Sequence, residues 1–599
     1  MWRRLIAGAG IYRRNLAFVG IFMFCSATID VVSPLIMAWL IDHNITKNTW
    51  AGATPWVVLY LVLVLFQAAN VFGFVYNAAR AENGITCEIR LKAFERLQEL
   101  SFSYYDTTPV GYIMSRLTSD AARIADTIAW SLVDLLWSLA YMAIAATTML
   151  IYNWKLGLMV LATTPLIALI STILRKYILR AYREVRKANS RITGAFNEGI
   201  TGAKTTKTLV LEDLNFRQFR SLTTDMYDQS VRSAVLSSLL MPLVMSIGSV
   251  GVALILWQGG VETINGVITL GTLSFFLTLG SMFFDPINNV ARIFAELQSS
   301  QAAVERVITL VDTQPEITDT EKVAKKFGGV FDTPKETWPK IIGKVDFDHV
   351  TFRYGDGTAV LRDFSLHVRA GETIALVGET GSGKSTIVNL LCRFYEPTQG
   401  RILIDGVDYR ERSQLWLHSN LGYVLQSPHL FSGTIRDNIR YGKLTATDAE
   451  IENVARLIGA HAFIGRLEHG YDTQVGEGGG LLSTGEKQLI SFARAILANP
   501  ALFILDEATS SIDTEAEQAI QFAIDRVRGG RTSFIIAHRL STIRNADRIL
   551  VIDRGRILEE GTHAQLMRRR GHYYELYTTQ FRQEAEDAAL GCPPVPENV

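Results

Sequence analysis

Four cysteines are scattered over 599 residues, at Cys25, Cys87, Cys392 and Cys592. None stands in a CxxC pair, so no thiolate metal or redox site is readable, and the wide spacing gives no disulfide framework. Net charge is absent too: 59 Lys and Arg balance 59 Asp and Glu. Bulk electrostatics therefore leaves no footprint for nucleic acid, and no such partner is expected. The start, "MWRRLIAGAGIYRRNLAFVGIF", has no small-residue cleavage site, and its apolar run is too long for a signal peptide. It reads as a retained first transmembrane helix. No Arg/Ser-rich leader points to an organelle, so the expected site is a bacterial cytoplasmic membrane.

Apolar residues are plentiful, at 48% of the chain, and unevenly placed. Residues 1–300 carry runs of about twenty, the length that crosses a ~30 Å hydrocarbon core. Six spans are expected near 16–41, 55–78, 127–152, 155–175, 233–257 and 266–290. Basic residues set the orientation. Arg3, Arg4, Arg13 and Arg14 precede the first span, and Arg80, Arg90, Lys92, Arg96, Arg116 and Arg123 lie between the second and third. The opposite loops hold almost none, so both termini and the two long connections face the cytoplasm. Those connections, 79–126 and 176–232, have helical periodicity and turn at "YYDTTPVGYIMSR" and "NEGITGAKTTKT". Helices are expected to run past the bilayer there and dock on a soluble domain, against the alternative of a solvated hairpin.

Asp30 and Asp134 fall within spans, where a carboxylate is costly. Asp30 would line a cavity or meet a partner group, beside a kink at Pro34. Asp134 is expected near the headgroups. Binding a cation or polar substrate and capping a neighbouring helix both remain open. Trp39, Trp130, Trp137, Trp154 and Trp257 read as an interfacial belt.

The expected architecture is a polytopic α-helical membrane domain of six helices (1–313), a polar linker (314–343), an α/β P-loop ATPase domain (344–580) and a disordered tail (581–599). The third part opens its site with "ETIALVGETGSGKSTIVNLLCRF", a strand, a glycine-rich turn and a helix. Gly378, Glu379, Thr380, Gly381, Ser382, Gly383, Lys384 and Ser385 form GxxxxGK[ST], followed by Thr386. Glycines let backbone N–H groups close on phosphate oxygens, and the helix N-terminus adds partial positive charge. Lys384 would reach the terminal phosphates of ATP, and Ser385 would ligate Mg2+. In "ALFILDEATSSID" an apolar strand delivers Asp506 and Glu507 to its C-terminal end, where parallel sheets bind ligands. Asp506 suits a Mg2+ contact. Glu507 suits a general base acting on water.

The order of these motifs resembles the nucleotide-binding domain of ABC transporters, and with the six spans the resemblance covers nearly the whole chain. It implies that Tyr354 in "FRYGDG" stacks on adenine. It implies that Gln426 in "GYVLQSPHLFSGTIRDNI" contacts Mg2+ and the lytic water, that Asp513 belongs to the D-loop in "SSID", and that His538 in "IIAHRLST" meets the γ-phosphate. Six spans before such a domain look like half of a type IV ABC exporter, with the two cytoplasmic turns as its coupling helices. Two half-transporters would then pair in the membrane, among lipids, to export or flip a hydrophobic or amphipathic substrate at the expense of ATP.

In that family ATP lies between one domain's P-loop and the partner's signature, normally LSGGQ. Here Ser483 and Gly485 are kept, while Thr484 stands for a glycine and Glu486 for a neutral amide. A β-branched side chain and a negative charge should weaken a phosphate contact, though an outward Glu486 would do little. With Glu507 and His538 intact, the chain resembles the catalytically complete member of heterodimeric multidrug-type exporters. A homodimeric lipid or peptide exporter is the alternative, and an ATP-gated channel or regulator a more distant one, since gating needs no base. No peptidase-like extension is expected before the first span. A soluble DNA-repair ATPase is excluded by the six spans, and an importer is disfavoured because importers usually carry the two domain types on separate chains.

Overall fold

The apolar runs become six long helical spans in the computed structural model, which describes residues 12–333, 335, 338–355, 357–506, 514–527, 529–536 and 543–579. The candidate spans are Arg13–Ile45, Ala53–Glu99, Val110–Tyr152, Trp154–Thr201, Glu212–Ile264 and Leu270–Asp312. The fourth is 48 residues long, roughly 70 Å at the rise of an α-helix. The helices thus outrun a bilayer on the basic side, as the periodicity of the connections predicts. Two short helices, Phe102–Thr107 and Ala203–Leu209, fall where the turns were expected. The chain divides into two compact units: residues up to Arg96 with Val110–Thr313, and Leu97–Pro109 with everything from Gln314 onward.

In the first unit a helical core gathers Ala27, Val31, Tyr141, Met149, Val160, Phe276 and Leu279. Small residues let helices approach: a Cβ on Gly248 would meet the Phe284 ring at 2.7 Å. Asp42 caps the start of the sixth span, accepting the Gly271 N–H at 2.7 Å and the Thr269 hydroxyl at 2.5 Å. Asp134 is paired with Arg292 at 2.6 Å. Two tryptophans depart from the belt reading. The Trp130 indole donates to Glu82 at 2.8 Å and the Trp137 indole to Asp30 at 3.0 Å. A tryptophan carries one N–H that needs a partner when it is buried, and an acceptor-only carboxylate on a neighbouring helix supplies one. Trp154 and Trp257 remain exposed.

Among the described residues the second unit holds two sheets. One orders β2 (Ala359–Val368), β1 (Val345–Arg353), β4 (Gln399–Ile404) and β5 (Val407–Asp408), all antiparallel. The other runs β10 (Arg556–Gly561), β9 (Arg548–Asp553), β3 (Thr373–Val377), β8 (Thr532–Ile536), β7 (Leu502–Asp506) and β6 (Leu421–Val424). It is parallel apart from the edge strand β10. Its central strands are mostly apolar and buried along their length because both faces are covered. Ile374, Leu376, Leu502 and Ile504 enter one core, and Ala375, Val377, Phe503 and Leu505 the other.

Residues 314–343, read from sequence as a linker, are largely built into this unit. The helix Glu321–Phe327 buries Val323 and Phe327, and Ile341 joins them in the core beneath β1. Asp319 pairs at 2.8 Å with Arg393, whose guanidinium is buried and also reaches Glu396 at 2.8 Å. The Asp405 carboxylate collects the N–H groups of Ile342, Gly343 and Lys344. Most polar side chains of the stretch face solvent, while its few apolar residues and Asp319 reach buried partners, so polarity alone does not show that it packs. The proposed tail, 581–599, lies outside the described residues.

Candidate nucleotide site

β3 is flanked by β8 and β9 and ends at Val377, so the loop Gly378–Gly383 leaves the middle of the parallel sheet. Gly378 (φ +151°) passes so close to β9 that a Cβ would sit 2.2 Å from the Ile552 carbonyl. Gly383 (φ +109°) caps the helix Lys384–Leu391 in a conformation that other residues rarely adopt. Between them Ser382 N–H donates to the Glu379 carbonyl at 3.2 Å, and Gly555 N–H donates to the Ser382 carbonyl at 2.9 Å. Loop and β9–β10 turn are thus pinned together.

Lys384 is buried, and its ammonium donates to the carbonyls of Gly378 (2.7 Å) and Glu379 (2.8 Å). Burial pushes its pKa down, and the Asp506 charge opposes that. The Ser382 hydroxyl is buried without a hydrogen-bond partner. A helix start, a glycine-shaped backbone, a held ammonium and an orphaned hydroxyl make a donor set that suits a polyphosphate. Glu379, Thr380, Gly381 and Ser385 are exposed, on the open side of this loop.

Tyr354 is brought to the same place. Its hydroxyl lies 3.2 Å from that of Thr386, and its ring packs edge-on to Phe352 (4.8 Å) and Tyr395 (5.0 Å) while staying 39% exposed. An aromatic face held from behind and open in front can accept a stacked base. Asp506 ends β7 opposite Ile536 at the end of β8. Gln426 is exposed, just past β6. Glu507, Asp513 and His538 lie outside the described residues.

Ser483, Thr484, Gly485 and Glu486 open a different helix, Thr484–Leu497, and among the described residues none of them hydrogen-bonds to the loop 378–386. Here the structure adds what the substitution pattern alone missed. Glu486 occupies the third position of a capping box. Its carboxylate accepts the Ser483 N–H at 2.8 Å, and its own N–H donates to the Ser483 hydroxyl at 3.3 Å. The side chain is folded back on its own helix start, while the Ser483 and Thr484 side chains stay exposed. The S-x-x-E spacing was the available signal. Glu486→Ala should lower stability by about 0.5–2 kcal/mol, the usual worth of a cap. Glu486→Gln should leave the melting temperature within a degree of the parent, since glutamine closes the same box. Thermal unfolding of the two variants checks both.

Sequence reasoning also missed Phe394 and Tyr395, the aromatic pair that follows the P-loop helix. Phe394 packs on Phe102 at 4.2 Å, and the Tyr395 hydroxyl donates to Asp106. The Ser101 hydroxyl accepts the Ile317 N–H at 3.0 Å. The first cytoplasmic turn is therefore part of the ATPase unit.

Six apolar helices fused to a P-loop ATPase of this topology define a membrane transport ATPase. Comparison with known proteins agrees: residues 16–287 match the family described as ABC transporter transmembrane region, and residues 361–510 the family described as ABC transporter. The uncharacterized ABC transporter ATP-binding protein YfiC of Bacillus subtilis is 35% identical over 97% of this chain and 94% of its own length. The ATP-dependent lipid A-core flippase of Syntrophus aciditrophicus is 36% identical over 94% of this chain and 90% of its own length. The fatty acid ABC transporter ATP-binding/permease protein of Mycobacterium tuberculosis is 38% identical over 86% and 80%. The chain belongs to the ABC transporter family. It is a multi-pass membrane protein with a cytoplasmic ATP-binding domain, and its ATPase is coupled to transport.

Proposed function

We propose that this chain is one half of a dimeric ABC exporter that moves a hydrophobic or amphipathic molecule out of, or across, a bacterial cytoplasmic membrane. The observation that carries the reading is the union of six spans with the loop Gly378–Ser385 in one chain. Relatives named as a lipid A-core flippase and a fatty acid transporter support a lipid-like cargo. In this reading residues 1–313 form the pathway and 344–580 the motor.

ATP would lie on residues 378–386, with its base against Tyr354. Mg2+ would be held by Ser385, Gln426 and Asp506, and would supply charge neutralisation between phosphate oxygens. Glu507 would hold and polarise the attacking water, and His538 would steady the terminal phosphate. Nucleotide binding would draw two such domains together, and hydrolysis would release them.

The partner we favour is a second, non-identical half-transporter with an unmodified signature. Thr484 carries that preference, because a branched side chain stands exposed where backbone should approach phosphate. The capping role of Glu486 favours the other reading, a homodimer, because its carboxylate is already engaged. The chain expressed alone and reconstituted in lipid decides between them, with native mass and phosphate release measured together. A dimer whose turnover vanishes in Glu507→Gln means a homodimer. A monomer, or a dimer without turnover, means a missing partner. Undiminished hydrolysis and transport in Glu507→Gln would sink the catalytic assignment.

A further inference from the structure

Two of the carboxylates in the helices of the membrane unit, Asp30 and Asp134, have opposite fates. Asp134 has its cation, Arg292. Asp30 has none: among the described residues no Lys, Arg or His lies in ion-pair range of it. Its oxygens are instead met by neutral donors, Gln67 Nε2 at 3.4 Å on Oδ1 and the Trp137 indole at 3.0 Å on Oδ2. Donors on both oxygens suit an ionised, acceptor-only carboxylate.

The depth matters. Asp30 in Arg13–Ile45, Gln67 in Ala53–Glu99 and Trp137 in Val110–Tyr152 each stand about fifteen residues from the outer end of their span, roughly 20 Å along a helix. Three spans therefore bring polar groups to one level well inside the hydrocarbon. An uncompensated charge there is expensive, and such residues ordinarily face a cavity or a partner group.

A second observation is independent of the carboxylate. The Tyr141 hydroxyl, the Ser138 hydroxyl and Gln67 Oε1 are buried atoms without a hydrogen-bond partner. Tyr141 is 1% exposed and Ser138 0%. Tyr141 stacks on Trp137 at 5.4 Å, so its ring adjoins the indole that holds Asp30. The cluster thus combines one carboxylate, a spare amide oxygen, a spare phenol hydroxyl and two aromatic rings. Buried polar groups are nearly always satisfied, so these atoms have acceptor capacity that a donor-rich group would fill.

We infer that Asp30, Gln67 and Tyr141 form a binding subsite for the ammonium head of an amphipathic amine, the class of cargo this half-transporter carries. An R–NH3+ group offers three N–H donors and a positive charge to Asp30, Gln67 Oε1 and the Tyr141 hydroxyl. The inference rests on the exporter reading for the word cargo, but the binding it asserts does not.

The test is equilibrium binding to the full chain in nanodiscs, with its partner if one co-purifies, without nucleotide. The probe is a fluorescent long-chain primary amine, and the control is its N-acetyl amide, neutral and equally apolar. The parent should bind the amine at least tenfold more tightly. Asp30→Asn keeps an acceptor for Trp137 and removes only the charge. It should erase the preference while leaving amide binding unchanged. Trp137→Phe keeps the charge and should retain the preference, which separates recognition from a purely structural bond. An equal affinity of the parent for both probes, or an intact preference in Asp30→Asn, overturns the inference. Transport of the bound amine is measured separately in proteoliposomes. Binding without transport refutes the exporter reading and leaves the subsite standing.

Discussion

Lys384→Ala is expected to lower ATP hydrolysis by at least ~100-fold, the effect of deleting one fixed donor from a site where charge develops. The loop is shaped around this side chain. Its ammonium bridges the carbonyls of Gly378 and Glu379 at 2.7 and 2.8 Å, in a loop that opens where a Cβ on Gly378 would sit 2.2 Å from the Ile552 carbonyl. Burial weakens the ammonium's hold on its proton, and only Asp506 opposes that, so an approaching polyphosphate would restore the charge's lost solvation. Alanine removes both roles at once. It leaves two carbonyls without their donor, at roughly 1–3 kcal/mol of stability if they stay dry, and it leaves phosphate without its cation. Melting temperature, nucleotide binding and phosphate release separate the two losses. A variant that melts a few degrees lower yet binds ATP normally would assign Lys384 to the loop's architecture alone. Lys384→Arg is expected to fail as well, because a planar fork cannot occupy the pocket of a compact ammonium.

Legibility followed sequence distance. The P-loop is eight consecutive residues, so its turn, its helix and its place after a buried strand were all readable. The apolar run of β7 revealed a strand covered on both faces, and the structure sets it between β6 and β8. The spans were legible because hydrocarbon thickness fixes their length, and the basic residues gave their direction. Partners far apart in sequence were another matter. Trp137 looks like any interfacial tryptophan until Asp30, 107 positions away, is seen to accept its N–H. Residues 314–343 look like a linker until Asp319 is found on the buried Arg393. Glu486 shows a different limit. Its partner is only three residues away, but the substitution pattern weighs it as a charge either facing a ligand or turned outward, and the capping role shows only in the S-x-x-E spacing.

The second large effect is expected at the first cytoplasmic turn. In the double variant Phe102→Ala with Asp106→Ala, transport should fall at least tenfold while basal ATP hydrolysis stays within about twofold of the parent. Three contacts of different kinds, among others, hold the turn: Phe102 on Phe394, Asp106 on the Tyr395 hydroxyl, and Ser101 on the Ile317 N–H. Burial, and then the bond to Asp106, push the Tyr395 phenol up, so it keeps its proton and remains the donor. The two aromatics look toward different parts of the nucleotide site. Tyr395 packs against Tyr354 at 5.0 Å, and Phe394 against Tyr423 at 5.9 Å, on the strand that leads to Gln426. A shift at either end of a bound nucleotide would thus reach the same docking point, and the chain carries it onward, because helix Phe102–Thr107 follows the second span directly. None of the three contacts involves the P-loop backbone or Lys384, which is why hydrolysis should survive their loss. Losing an aromatic contact and a charge-assisted hydrogen bond removes roughly 2–4 kcal/mol of docking energy, enough to undock a six-residue helix. Phosphate release and substrate flux, measured on the same proteoliposomes, give the answer. Uncoupled hydrolysis makes this turn the mechanical link, whereas a parallel loss of both rates would place Phe394 and Tyr395 within the catalytic framework itself.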